Sequence, residues 1–135
     1  LFALHALSIK VIVHLILGLP HETREMMSAS VQAIANLPVW GIKLQLLHVL
    51  SGTDLAAYYE KTHFPVFSMD EYCEMIIDCL ELLPPEMVIH RITGDGPKDL
   101  LIAPMWSTGK RTVLNQIHRR LKERNTYQGR LATKR

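Results

Sequence analysis

The sequence predicts an α/β protein built on a mostly parallel, open sheet. Three observations carry that expectation. The segments alternate strand, helix, strand, helix, strand, helix, which implies right-handed βαβ crossovers. The first strand candidate, Val11 to Leu17, is a continuous apolar run interrupted by His14, as in a strand buried on both faces, and Ile42 to Leu50 repeats the strand pattern. Each is followed by a turn containing glycine, where a parallel fold gathers its ligands.

The elements follow in order. Val11 to Leu17 is rich in Val and Ile, with His14 as its one polar residue, and Gly18-Leu19-Pro20 ends it. Glu22 to Leu37 is helix sequence with acids in its first turn; Met26, Met27, Ala33, Ile34 and Leu37 can supply its core face. Pro38 and Gly41 stop it. Ile42 to Leu50 reads as a second strand, Ser51-Gly52-Thr53 as a turn and Asp54 to Lys61 as a short helix. Ser68 and Glu71 then form a capping-box signature. Behind it, Tyr72, Met75, Ile76, Cys79, Leu80 and Leu83 recur at helical spacing. Pro84-Pro85 closes that helix. Met87 to Ile92 is a third strand, Gly94-Asp95-Gly96-Pro97 a turn, and Ser107 to Arg124 a last helix with Val113, Leu114, Ile117 and Leu121 inward. Three strands are few for a sheet covered on both sides, so neighbouring strands are expected elsewhere.

The 135 residues suffice for one domain, and 48% hydrophobic with 21% charged residues is ordinary for a globular chain. The longest apolar run, Val11 to Leu19, is too short to span a bilayer and contains His14. No signal peptide is visible. Cys73 and Cys79 share a helix at a spacing that argues against a disulfide. Few cysteines and no export signal favour a cytoplasmic location. Cys79 falls on the apolar face as a small core residue, leaving Cys73 as the one thiol available to a ligand. The stretch Leu1 to Leu7 is apolar and helix-like and runs straight into a strand pattern, which reads as a cut through an existing element.

The net charge of +2 hides an asymmetry. From Ser107 to Arg135 there are nine Lys or Arg residues and one acid, Glu123; the rest of the chain holds six basic and twelve acidic residues. A basic end on an acidic body suits an anionic partner such as RNA. A solvated helix face with a loose end accounts for the same charges, and the shortage of aromatic residues to stack on bases favours it.

The places where chemistry can sit are the strand ends: Gly18 to Thr23, His48 to Thr53 and Ile92 to Pro97. By period two, Ile12, His14, Ile16 and Gly18 share one face of the first strand, and Lys43, Gln45, Leu47 and Val49 share one face of the second. His14, Lys43 and Gln45 are polar residues within apolar strands. They are candidates for an interior site, against the plainer reading of a satisfied core histidine or a lysine reaching the rim. The seven histidines are scattered, with no H-E-x-x-H or C-x-x-C; no G-x-S-x-G, Walker loop or G-x-G-x-x-G occurs.

Four segments carry a family resemblance. Val13-His14-Leu15-Ile16-Leu17-Gly18-Leu19-Pro20-His21-Glu22-Thr23 resembles the fifth-strand motif of radical S-adenosylmethionine (radical SAM) enzymes, which ends in Gly-Leu-Pro-Gly-Glu-Thr. Gly41 to Thr53 resembles their sixth strand with its Gly-Thr turn. His90 to Pro97 and Leu100 to Trp106 resemble a branch of bacterial Fe–S oxidoreductases related to the coproporphyrinogen-oxidase and Elongator groups. The sequence departs from the pattern at His21, where the family commonly has Gly, and at Gln45, where this branch often has His.

The resemblance implies the carboxyl-terminal half of a partial (β/α)6 TIM-like barrel over residues 1–106, followed by a basic carboxyl-terminal helix and tail over 107–135. It implies that Ile16, Gly18 and Glu22 from the fifth strand, and Leu47, His48 and Val49 from the sixth, wall the adenine side of a SAM pocket. The family's three cluster cysteines, C-x3-C-x2-C, are not in this sequence. The parent protein is therefore expected to hold SAM and a [4Fe–4S] cluster and to cleave SAM reductively to a 5′-deoxyadenosyl radical, while this chain alone binds neither and is not catalytic. The expected partners are the amino-terminal half of the barrel, another copy through the open sheet edge, and RNA through the basic end, with no membrane. The rival reading is a non-catalytic module that binds a nucleotide or nucleic acid.

Overall fold

The computed structural model describes residues 1–94 and 96–133. Its centre is a three-stranded parallel sheet in the order β1 (Ile12–Leu17), β2 (Gly41–Leu46), β4 (Val88–Arg91). The sheet is open, with β1 at one edge and β4 at the other. α1 (Phe2–Ala6) precedes it, and its residues are exposed. β1 and β2 run in unbroken register from Ile12 opposite Gly41 to Leu17 opposite Leu46. A register shift between Ile42 and Lys43 brings Lys43 opposite Arg91 on β4.

One face of this sheet is covered. α2 (Arg24–Ala35), α4 (Met69–Leu82) and α5 (Lys110–Glu123) pack there, α4 touching both of the others. Leu17, Ile42, Leu44 and Leu46 of the strands join Val31, Ile76 and Ile117 of the helices in the main core. The middle position of α4 explains why it buries more than one stripe: Tyr72, Cys73, Met75, Ile76, Ile77, Cys79 and Leu80 are all inside. Its start is fixed as its sequence requires. Ser68 Oγ accepts from Glu71 N and Glu71 Oε1 accepts from Ser68 N, each at 3.1 Å.

The structure corrects several details. α2 begins at Arg24, capped by Thr23, and buries the line Met27, Val31, Ala35. Met26 and Ala33, expected inside, are exposed, because that line sits about 100° round the helix from Met26. The run Ile42 to Leu50 is two strands, not one. β2 ends at Leu46, and β3 (Val49–Leu50) pairs antiparallel with β5 (Leu101–Ala103) in a second, two-stranded sheet. Buried apolar residues lie on both sides of the break, Leu46 and Leu47 before it and Val49 after it, so the sequence does not mark it. A short helix, α3 (Asp54–Thr62), follows β3. The last helix is interrupted: a 3-10 turn over Met105–Thr108 gives way at Gly109 to α5. The turn expected at Gly94 to Pro97 includes Asp95, which lies outside the described residues.

The segment after α5 is not loose where it is described. Gly129 N donates to Leu80 O at 3.0 Å, and Leu131 N to Glu81 O at 2.8 Å, satisfying carbonyls at the end of α4. Gln128 Nε2 donates to Pro84 O and Met87 O, both at 2.8 Å. Glu81, 3% exposed, accepts from Thr126 Oγ1 at 2.5 Å and from Arg130 Nε at 2.7 Å. Arg120 pairs with Asp70 and Glu74, and Arg124 with Glu74 at 2.7 Å. Part of the basic end is thus matched by the acidic face of α4.

Candidate functional site

β1, β2 and β4 are parallel, so their carboxyl ends meet at one edge of the sheet. Leu47 N donates to Leu17 O at 3.0 Å and carries the pairing one residue past β2. The next residue, His48, meets the loop after β4. A Cβ added at Gly94 would stand 2.5 Å from His48 Cε1 and Nε2, and one at Gly96 2.9 Å from Nδ1. Only residues without side chains let that loop close on the imidazole. Around it, Ile16, Gln45, Leu47, His48, Gly94 and Gly96 line a cleft of about 260 Å³.

Gly18 and Glu22 line a neighbouring cleft of about 290 Å³, whose other wall includes Pro65, Val66 and Phe67. Gly18 has φ +89°, and a Cβ there would stand 2.9 Å from the Phe67 ring, so this turn demands glycine twice over. Glu22 Oε1 is buried and accepts no hydrogen bond from a described residue. His21 has φ 65°, in the left-handed region that glycine favours, and its Nε2 lies 2.8 Å from the Tyr58 hydroxyl. The departure from Gly at this position keeps the backbone shape a glycine would take.

The six residues singled out from the sequence are therefore divided. Ile16, Leu47 and His48 share the first cleft; Gly18 and Glu22 share the second. The Val49 side chain is fully buried in a small separate core with Leu47, Ala56, Phe64 and Ala103. His14, Lys43 and Gln45, named as interior candidates, lie on the sheet face away from the helices. His14 stands opposite Lys43, and Ile16 opposite Gln45.

Residues that sequence reasoning missed hold the loops from behind. Tyr72 Oη donates to Ile92 O at 2.8 Å, tying α4 to the end of β4. Burial pushes its phenol far up, aided by the nearby Cys79 and Cys73 thiols, so it stays a donor. Trp106 Nε1 donates to Phe67 O at 2.8 Å, and the Phe67, Tyr72 and Trp106 rings are in contact. Phe67 sits in an irregular stretch with no periodic signal, and nothing in the sequence marks it as the floor beneath Gly18.

The cysteines do not belong to this edge. Cys73, expected to be accessible, is as buried as Cys79, because α5 covers that side of α4. Burial, with Asp78 nearby, pushes the Cys79 thiol up to about 12, and burial raises Cys73 too. Neither fits the thiolate ligation of an iron–sulfur cluster. Among the described residues no group of three His, Cys, Asp or Glu side chains could hold a metal ion.

The fold has a counterpart in known proteins. The Radical_SAM C-terminal domain family matches residues 39–123, from just before β2 to the end of α5, and the chain belongs to that family. Among its relatives, protein YtqA of Bacillus subtilis is 50% identical over 121 residues, covering 90% of this chain and 38% of YtqA. Protein YhcC of Escherichia coli strain K12 is 30% identical over 115 residues, covering 85% of this chain and 37% of YhcC. The chain thus spans under two-fifths of the length of these relatives. Among solved structures, Elp3 of the archaeon Methanocaldococcus infernus superposes with a TM-score of 0.75 at 18% identity, covering 93% of this chain and 29% of Elp3. That likeness is one of fold. The radical SAM membership and the open parallel α/β architecture expected from the sequence hold.

Proposed function

We infer that this chain supplies the adenine-side wall of a SAM pocket in a longer radical SAM protein of the Fe–S oxidoreductase type. The observation that carries the reading is the cleft at the shared carboxyl edge, closed over His48 by Gly94 and Gly96, in a chain of this family. A parallel sheet binds its ligands at that edge. The cleft is apolar at Ile16 and Leu47 and polar at Gln45 and His48, a mix suited to a flat heteroaromatic ring.

The [4Fe–4S] cluster is assigned to the remainder of the parent, since the residues described here do not fit it. SAM bound beside such a cluster supplies radical chemistry. This chain's part is to hold and orient the nucleoside and to exclude water from one side of it. The basic end is a weaker foundation for a nucleic-acid partner, because Arg120, Arg124 and Arg130 are engaged by carboxylates of α4.

The test fills the cleft without touching the core. Ile16 is 43% exposed, so Ile16→Trp adds bulk on the open side. In the cluster-loaded full-length protein, equilibrium dialysis should show SAM affinity falling about tenfold, the equivalent of about 1.4 kcal/mol. Unchanged affinity would overturn the assignment.

A further inference from the structure

The uncovered face of the sheet carries a charge pattern that the cofactor cleft does not use. On β1 that face presents Ile12, His14 and Ile16; on β2, Gly41, Lys43 and Gln45. His14 and Lys43 are direct partners in the β1–β2 register, and Arg91 is the register partner of Lys43 on the other side. The His90 ring reaches the same region, 2.7 Å from where a Cβ on Gly41 would be. No Asp or Glu occurs in any of the three strands. Lys43 is half-buried on the central strand, and among the described residues no carboxylate pairs with it. Arg119 and Arg120 of α5 and Arg124 just after it do pair with carboxylates, so acids are available elsewhere among the described residues.

A lysine part-way out of water, with no counter-ion, carries a desolvation cost that an apolar residue would avoid. Leucine or valine would serve the sheet better at that position. The lysine leaves a place for a counter-charge supplied from beyond the described residues. At about 3.3 Å per residue, Lys43 lies roughly 7 Å down the strand from Gln45 in the lining of the cleft around His48. A small molecule reaching from the cleft along the open face would bring its far end to this pair.

We propose that the register-paired His14 and Lys43 form an anion subsite on the uncovered face, taking a carboxylate or phosphate group of the parent protein's substrate. The substrate part of this proposal rests on the radical SAM reading; the anion subsite itself does not. Lys43 Nζ donates to the anion as a point charge, and His14 contributes a second donor from the adjacent strand.

The experiment uses the full-length protein with its lysines labelled by 13C-methylation, and follows the Lys43 resonance, assigned by its loss in Lys43→Arg and Lys43→Met. Inorganic phosphate and acetate are titrated separately at constant ionic strength, the two arms distinguishing a phosphate site from a carboxylate site. The expected result is a saturable shift of the Lys43 resonance with one or both anions, while exposed lysines such as Lys61 and Lys122 move little. In His14→Leu, which removes the donor, the midpoint should rise about threefold, as for loss of one hydrogen bond. A Lys43 resonance that stays still, or moves only in parallel with the exposed lysines, overturns the subsite. SAM binding is measured on the same wild-type sample. Saturable anion binding without SAM binding would sink the cofactor reading and leave the subsite standing; the reverse would do the opposite.

Discussion

The two faces of the central sheet are built from alternate residues of the same strands, and they obey different rules. Val13, Leu15 and Leu17 on β1, with Ile42, Leu44 and Leu46 on β2, point into the helices and are buried or nearly so. Ile12, His14, Ile16, Lys43 and Gln45 alternate with them and remain in contact with solvent. The helix-side residues are apolar without exception and determine whether the chain folds. The open-side residues mix charge, amide and aliphatic groups, and a fold that needed only stability would not choose them. Neighbours in sequence are thus answerable to different demands.

The largest effect should come from the covered face. Leu44 is fully buried in the main core, so Leu44→Ala should destabilise the chain by about 3 kcal/mol, through lost burial and a residual cavity. Gln45→Ala, one residue on, should cost under about 0.5 kcal/mol, as an ordinary surface change does. Urea denaturation followed by circular dichroism reads both. Comparable losses at the two positions would mean that the open face is load-carrying within this chain, and the contrast would collapse.

Glu81 sharpens the comparison from the other direction, since it is a buried charge on the helix side. Burial alone would raise its carboxyl pKa, but hydrogen bonds from Thr126 and Arg130, with the charges of Arg130 and Arg124, outweigh it and hold the carboxyl below its usual range. A depressed folded value means that the contribution is complete above the unfolded pKa and is lost as pH falls through the folded one. Glu81→Ala should therefore cost about 2 kcal/mol at pH 7, somewhat below the range for a deeply buried pair because Arg124 and Arg130 reach solvent. The gap between wild type and variant in urea midpoint should narrow as pH falls below about 4. A gap independent of pH would show that the carboxylate charge is not what holds the tail.

Much of this was legible in advance. The βαβ order, the capping box at Ser68 and the open sheet followed from periodicity and turn chemistry, because each is a local signal. The motif segments around Gly18 and His48 fall at the carboxyl edge of the sheet. What stayed hidden was non-local. The break between β2 and β3 is unmarked, because Leu46-Leu47 before it and Val49-Leu50 after it are apolar alike. The partner strand β5 is three residues long. Phe67 matters only because Gly18 lies against it, and Glu81 only because the chain returns to it from Thr126 and Arg130. The division of the six candidate residues between two clefts depends on the path of the loop carrying Phe67, which no spacing rule supplies.

The turn at Gly18 joins the faces at their shared end, and it should respond at an intermediate level. Gly18→Ala forces a side chain into a backbone with φ +89° and against the Phe67 ring, for a cost of about 1.5 kcal/mol. Pairing it with Phe67→Ala separates the two causes by thermal melting. If relief of the ring contact restores stability fully, the backbone conformation is not the limiting factor.

The smallest effect belongs to His21, and its sign is the informative quantity. A non-glycine residue at φ 65° carries a left-handed penalty of about 1 kcal/mol, which glycine would remove. Against that, His21→Gly loses the contact with the Tyr58 hydroxyl at 2.8 Å, worth about 1 kcal/mol, and gives the unfolded chain more freedom to lose. The terms oppose one another, so the variant should lie within about 1 kcal/mol of wild type on the stable or unstable side. The Tyr58→Phe variant removes the contact and keeps the imidazole. If His21→Gly is neutral while Tyr58→Phe is destabilising, the histidine is retained to tie this turn to α3, at a position where glycine would fit the backbone better. If both are neutral, the contact contributes nothing and the turn holds its shape through Gly18, Pro20 and the Thr23 cap alone.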